Sequence, residues 1–259
     1  MGVKELFDLR GKVALVTGGS RGLGLTMAKA LGEMGARVAL VARKANELAA
    51  AKAALEAEGI ECLTIAGDLS QPSTIARIVD GVLADWGQID ILVNNAGANW
   101  AAPAEDYPDD GWRKVMTLNI DAQFALSREV GKRTMIPRRT GKIINIASIA
   151  GLFGNPPAWQ MQTIAYNTSK GALINFTRAL AAEWGRYNIN VNAICPGFFP
   201  SKMTKSVLER IDLAVIELTP LRRLGNDEDL MGSIAFLASE ASRHITGQAL
   251  VVDGGCTVV

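Results

Sequence analysis

The sequence predicts one α/β domain built on a doubly wound sheet of about seven parallel strands, with helices on both faces. Short apolar runs rich in β-branched residues alternate along the 259-residue chain with longer stretches of helical period. A glycine-rich turn joins the first such run to the first such stretch. This alternation is the pattern of βαβ units. No proline- or serine-rich linker, charge block or repeat interrupts it, so residues 1–259 read as a single domain.

Taken in order, Val13–Thr17 is the first strand, followed by the glycine turn and a helix over residues 25–34. Gly35 ends that helix where a left-handed cap is common. Residues 38–41 form the second strand. The alanine-rich stretch 46–58 reads as a helix closed by Gly59, and residues 62–65 as the third strand, ended by Asp68. Residues 91–93, 143–146 and 191–194 and the closing Ala249–Val252 complete the set, each preceded by a helical stretch. Residues 151–163 and 198–220 look least like regular structure, and connections of that length often serve as lids or binding loops.

Composition narrows the function classes. Lys and Arg number 27 against 26 Asp and Glu, a net charge of +1, so no global field draws the chain to nucleic acid or an anionic membrane. Residues 1–9 carry Lys4, Glu5 and Asp8 and lack the apolar core of a signal peptide, and no run approaches the roughly 18 apolar residues of a membrane span. The expectation is a cytoplasmic protein. Cys62, Cys195 and Cys256 lie far apart, which fits buried thiols in a reducing compartment and gives no metal-ligand spacing.

The turn after the first strand reads Thr17, Gly18, Gly19, Ser20, Arg21, Gly22, Leu23, Gly24. Glycines there permit positive φ and close backbone approach, while the N–H groups and dipole at a helix start attract a pyrophosphate. At the end of the second strand an acidic residue would hydrogen-bond a ribose 2′-hydroxyl and select NAD(H). The chain has Ala42 and Arg43 instead. Arg43 and Lys44 alone would read as a solvated pair, but Arg21 in the glycine turn adds a second guanidinium suited to a 2′-phosphate, which favours NADP(H). Gly18, Ser20 and Gly22 also fit G-x-S-x-G, the turn that carries the nucleophile of serine hydrolases. That chemistry needs a histidine base, and the chain's one histidine is His244, with no glycine-rich oxyanion segment upstream. The match is read as coincidence.

Tyr166 and Lys170 stand four apart at the start of a helical stretch, so their side chains leave one face. A phenol near pKa ~10 is a poor base at neutral pH, and a neighbouring ammonium lowers that value. Ser148 ends the strand at 143–146, the edge where doubly wound folds place ligands.

Together these residues resemble the short-chain dehydrogenase/reductase family, a Rossmann-type fold, over essentially the whole chain. The resemblance rests on Thr17-Gly18-x-x-x-Gly22-x-Gly24, Asn94-Asn95-Ala96-Gly97, Asn119, Ser148, Tyr166-x-x-x-Lys170, Pro196-Gly197 and Val252-Asp253-Gly254-Gly255, in the family's order. It implies a tetrad: Tyr166 exchanges a proton with the substrate oxygen, Ser148 hydrogen-bonds that oxygen, Lys170 binds the nicotinamide ribose and depresses the Tyr166 pKa, and Asn119 holds a water in the proton path. It further implies a cofactor cleft of Gly18, Ser20, Arg21, Gly22, Leu23, Gly24 and Arg43, with Asp68 and Leu69 beside the adenine. Asn95, Ala96 and Gly97 would line the adenosine ribose, and Pro196, Gly197, Phe199 and Ser201 the carboxamide side. A homotetramer is implied as well.

The interval from Ser148 to Tyr166 exceeds the family's usual one, so residues 155–163 must loop out near the site. Trp100 and Trp159 are the favoured aromatic wall candidates, ahead of Trp112, Phe198 and Phe199. Asn155-Pro156 and the run Gly225 to Glu228 resemble the branch that contains gluconate 5-dehydrogenases and 3-oxoacyl-thioester reductases. The apolar runs 159–161 and 198–203 favour a ketone or 3-oxoacyl substrate over a sugar acid. A catalytically dead nucleotide-binding module is disfavoured by the intact tetrad.

Overall fold

The computed structural model describes residues 2–201 and 205–259. A short helix α1 (Val3–Leu6) precedes β1 (Val13–Thr17), α2 (Gly22–Glu33), β2 (Arg37–Ala42), α3 (Ala45–Ala57), β3 (Cys62–Ala66), α4 (Pro72–Trp86) and β4 (Ile91–Asn94). Then come α5 (Asp109–Met116), α6 (Ala122–Val130), α7 (Ile136–Arg138), β5 (Gly141–Ile146), α8 (Ile164–Trp184), β6 (Ile189–Pro196), α9 (Lys205–Leu218), α10 (Glu228–Ala238) and β7 (Ala249–Val252). The seven strands form one sheet in the order β3-β2-β1-β4-β5-β6-β7, every pairing parallel. The doubly wound expectation is met.

The strands read as unbroken apolar runs because both faces are covered. Ala14, Val16, Val38, Leu40, Ile91 and Val93 pack with Met27 and Leu31 of α2 and with Leu230 and Ile234 of α10. Their neighbours in sequence, Val13, Leu15, Ala39, Val41 and Leu92, face the other way, onto Ile78 and Val82 of α4 and Leu126 and Val130 of α6. The period of two therefore survives as a division between two cores. Chain order reverses between β1 and β4, the switch point at whose carboxyl ends such folds open a ligand crevice.

Two local features differ from the sequence-based expectation. α2 begins at Gly22, inside the glycine turn rather than after it. Residues 198–220 are not wholly irregular, for they contain the 14-residue α9. Pro200 and Pro220 bracket that stretch and suggest a loop, yet Val207, Leu208, Ile211, Val215 and Leu218 recur at helical spacing. Residues 151–163 carry the end of one 3₁₀ turn (Ile149–Gly151) and a second at Pro157–Trp159, as a looped insertion would. No helix among the described residues is long and apolar enough to cross a membrane.

Candidate active site

The carboxyl ends of β1, β2, β4, β5 and β6 surround a cleft of about 550 Å³. Its floor is the glycine turn. Gly18 and Gly22 hold φ of +65° and +53°, which disfavours any other residue there. A Cβ on Gly24 would lie 2.3 Å from the Gly18 carbonyl oxygen and 2.5 Å from Asn95 Nδ2. The approach is that close because Asn95 Nδ2 donates to the carbonyls of Thr17 (2.9 Å) and Gly18 (3.2 Å). Thr17 Oγ1 in turn accepts from the N–H groups of Asn95 and Ala96, at 2.9 and 3.0 Å. The turns after β1 and β4 are thus laced together at the switch point. Arg21, at the N-cap of α2, makes no side-chain capping bond, so the helix opens into the cleft with uncapped amides, the donor set that suits a phosphate.

Around this floor the structure collects every residue expected to hold a cofactor: Gly18, Ser20, Arg21, Gly22, Leu23, Gly24, Arg43, Asp68, Leu69, Asn95, Ala96, Gly97, Pro196, Gly197, Phe199 and Ser201. The next residues of the apolar 198–203 run, Lys202 and Met203, lie outside the described residues. Asn95 serves the cleft through its backbone, its amide being spent on the glycine turn. Burial works to raise the Asp68 carboxyl, but bonds from Ser70 N and Oγ (3.0 and 2.8 Å) and the Arg43 charge hold it below the ordinary range.

Ser148, Tyr166 and Lys170 line the β5 side of the cleft. Ser148 caps a 3₁₀ turn, its Oγ accepting from Ala150 N at 3.1 Å, which leaves its hydroxyl hydrogen to donate into the cleft that it shares with Tyr166. Lys170 is 3% exposed and donates to the Ile146 carbonyl at 2.6 Å, with its ammonium 5.5 Å from the centre of the Tyr166 ring. Burial pushes Lys170 down to about 8. Burial also raises the Tyr166 phenol above its ordinary value, opposed by the Ser148 hydroxyl. The Lys170 ammonium lies over the ring, a positive charge beside the phenol.

Asn119 is wholly buried in a π-helical turn, Thr117–Asp121, between α5 and α6. Its Oδ1 accepts from Ala98 N (2.8 Å), and its Nδ2 donates to Ala98 O (3.0 Å) and Ser169 Oγ (2.9 Å). Ser169 Oγ then donates to the Tyr166 carbonyl at 2.8 Å. Both side-chain hydrogens are used in tying the loop after β4 to the first turn of α8, and the π turn supplies the local bulge that aims the amide there.

The aromatic expectations are corrected. Trp159 is 2% exposed, edge-on to Phe153 (6.2 Å) and Phe198 (5.2 Å) in a cluster with Ile149, Val215 and Cys256, so it packs the insertion and does not wall the cleft. Trp100 stacks on Gly111, with the Lys114 ammonium 5.0 Å from its ring centre, and Trp112 packs edge-on to Tyr107. Of the five aromatics only Phe199 reaches the cleft. Phe198 lines a separate cavity of about 480 Å³ whose polar groups are spent internally, Arg223 on Asp229 at 2.5 and 2.7 Å and Asp253 on two backbone amides. Glu47, Asn99, Lys114 and Leu118 line the cleft although the sequence did not single them out. Glu47 had a readable signal, an acid three residues after Lys44 in a helix's first turn.

The hydrolase alternative fails on geometry. Ser20 Oγ donates to Glu47 at 3.4 Å, beyond the end of β1. The exposed His244 lies between Arg243 and Ile245, whose carbonyls accept from Asn190 at the start of β6, the opposite edge of the sheet.

A switch-point cleft with a glycine floor and a Ser–Tyr–Lys cluster on its wall defines an α/β oxidoreductase of the dehydrogenase and reductase class. The chain belongs to the short chain dehydrogenase family, whose model matches residues 12–212. It is 40% identical over 256 residues to gluconate 5-dehydrogenase of Gluconobacter oxydans, covering 98% of each chain. It is 39% identical over 257 residues to the rhamnolipids biosynthesis 3-oxoacyl-[acyl-carrier-protein] reductase of Pseudomonas aeruginosa, covering 96% of this chain and 97% of that one. A crystal structure of a gluconate 5-dehydrogenase from Burkholderia cenocepacia in complex with NADP and tartrate superposes over 100% of both chains, with TM-score 0.93 and 34% identity.

Proposed function

We propose that this oxidoreductase interconverts a ketone and a secondary alcohol with NADP(H), Tyr166 moving the proton. One observation carries the reading: Ser148 and Tyr166 line the same wall of the cleft floored by the glycine turn, with Lys170 one helical turn on and its ammonium 5.5 Å from the phenol ring centre. The cleft fits a dinucleotide, since the uncapped amides of α2 face it and the space over Gly22 is open. At the end of β2 it presents Arg43 and Lys44, with Arg21 opposite, the charges that suit a 2′-phosphate. Bound there, the nicotinamide supplies or accepts the hydride.

The chain's own residues do the rest. Ser148 is placed to hold the substrate oxygen as negative charge develops on it. Tyr166 gives its proton to that oxygen during reduction and removes it during oxidation. Lys170 holds the ribose side of the site and adds positive charge beside the phenol. Asn119 fixes the spacing between the loop after β4 and α8, which sets the distance from cofactor floor to phenol.

A ketone of 3-oxoacyl type is the substrate reading the loop sequences favour, and the Pseudomonas relative is named for that chemistry. A sugar acid is the second reading, on a specific observation: with Trp159 packed away, Lys114 and Asn99 line the cleft, and the Lys114 ammonium has an aromatic ring rather than a carboxylate as its partner. A substrate carboxylate would complete that pairing. The test is consumption of NADPH and NADH with simple ketones, a 3-oxoacyl thioester and a keto sugar acid, for the wild type and Lys114→Gln. The second reading requires the variant to raise KM for the keto acid while sparing neutral ketones.

A further inference from the structure

Three donors converge on one carboxylate at the adenosine end of the cleft. Glu47 Oε1 accepts from Arg21 at 3.0 Å and from Lys44 at 3.1 Å, and its Oε2 accepts from Ser20 Oγ at 3.4 Å. Ser20 and Arg21 come from the glycine turn, Lys44 and Glu47 from the junction of β2 and α3, and all four line the cleft. An acid in the first turn of α3 suits the helix dipole, which explains the residue type. It does not explain why a hydroxyl and two cations from two elements meet on it. Three convergent donors are what a phosphate group requires.

We infer that Glu47 occupies the 2′-phosphate subsite as an internal anion and so sets the cofactor preference. A 2′-phosphate must displace the carboxylate from Arg21 and Lys44 or lie beside it as a like charge, and either event weakens NADP(H) binding. The adenosine of NAD(H), lacking that phosphate, leaves the pairing of Arg21, Lys44 and Glu47 in place. Arg43 stands outside this arrangement, with Asp68 as its charged neighbour, and is the cation left to attract a phosphate. The chain is therefore a tempered NADP(H) binder, and removing one negative charge sharpens it. The inference rests on reading this end of the cleft as a 2′-phosphate site.

The test is calorimetric titration of 2′,5′-ADP and 5′-ADP into the wild type, Glu47→Gln, Arg43→Ala and Glu33→Gln, the last matching the charge change at the far end of α2. Glu47→Gln is expected to tighten 2′,5′-ADP by about tenfold, with a much smaller effect on 5′-ADP. The gain should shrink as salt rises, because the groups are partly exposed. Unchanged or weakened 2′,5′-ADP binding would overturn the inference, weakened binding marking Glu47 as a buttress for the arginine. Arg43→Ala separates the two levels. If it leaves 2′,5′-ADP binding intact, the phosphate site itself is misplaced, whereas a loss there with no gain in Glu47→Gln refutes only the role of Glu47.

Discussion

Lys170 is where residue chemistry and stability meet. Its pKa is pushed down to about 8 by burial, against an unfolded value near ~10.4, so between those limits the unfolded chain binds the extra proton. Stability attributable to this residue is fully present above the unfolded value and is lost as pH falls through about 8. Wild type should accordingly gain stability relative to Lys170→Met as pH rises from about 8 toward ~10.4, read as the difference between their denaturation midpoints. A pH-independent difference would mean that the ammonium is well solvated in the fold. The Tyr–Lys spacing and Ser148 were legible as a site because chemistry constrains residue type and interval together. Ser169 was not, since a serine one residue before Lys170 is ordinary on any helix, and the spacing of Glu47 from Lys44 announces a local ion pair rather than a place in the cleft. Their partners, Asn119 and Arg21, lie 50 and 26 positions away.

Among the elements, the strands were the easiest to read, because a strand buried on both faces is a short apolar run with little competing interpretation. α9 was harder: prolines at both ends mimic a loop, and its amphipathic spacing shows only when periodicity is weighed above composition. The insertion between Ser148 and Tyr166 was legible as extra length but not as a packed unit, and nothing local announces that Trp159 turns inward to Phe153 and Phe198. One contact in this region has a sharp consequence. A Cβ on Gly151 would come within 2.5 Å of the Lys170 carbonyl carbon and 2.7 Å of Gly171 N, backbone against backbone. Gly151→Ala must push the Ser148 turn away from α8. The expected cost is about 1–3 kcal/mol of stability, measured by denaturant unfolding, together with a fall in kcat as Ser148 and Tyr166 separate. An alanine variant with unaltered stability and kcat would show that this close approach is dispensable.

At the scale of the molecule, the sheet order puts the glycine turn and the Ser–Tyr–Lys wall on one edge, although β1 and β5 are separated by more than a hundred residues. The doubly wound class followed from the alternation of strand and helix, and the site's position followed from the class. Assembly is a separate matter. Phe124 is 46% exposed on α6, stacked edge-on to Phe176 of α8 and beneath Arg128, an aromatic patch shared by the two helices. We expect these helices to meet their equivalents in a homotetramer. Light scattering at micromolar protein should give four times the chain mass of 27.6 kDa, and Phe124→Glu should lower it. A wild-type monomer at that concentration would refute the assembly.

The proton path is tested most directly by Tyr166→Phe, which keeps the ring and its packing and removes one hydroxyl. NADPH binding, followed by its fluorescence, should persist near the wild-type affinity, while ketone-dependent loss of NADPH absorbance falls by about a hundredfold or more. A phenylalanine variant that reduces the same ketone at the wild-type rate would contradict the assignment of Tyr166 as the acid and base.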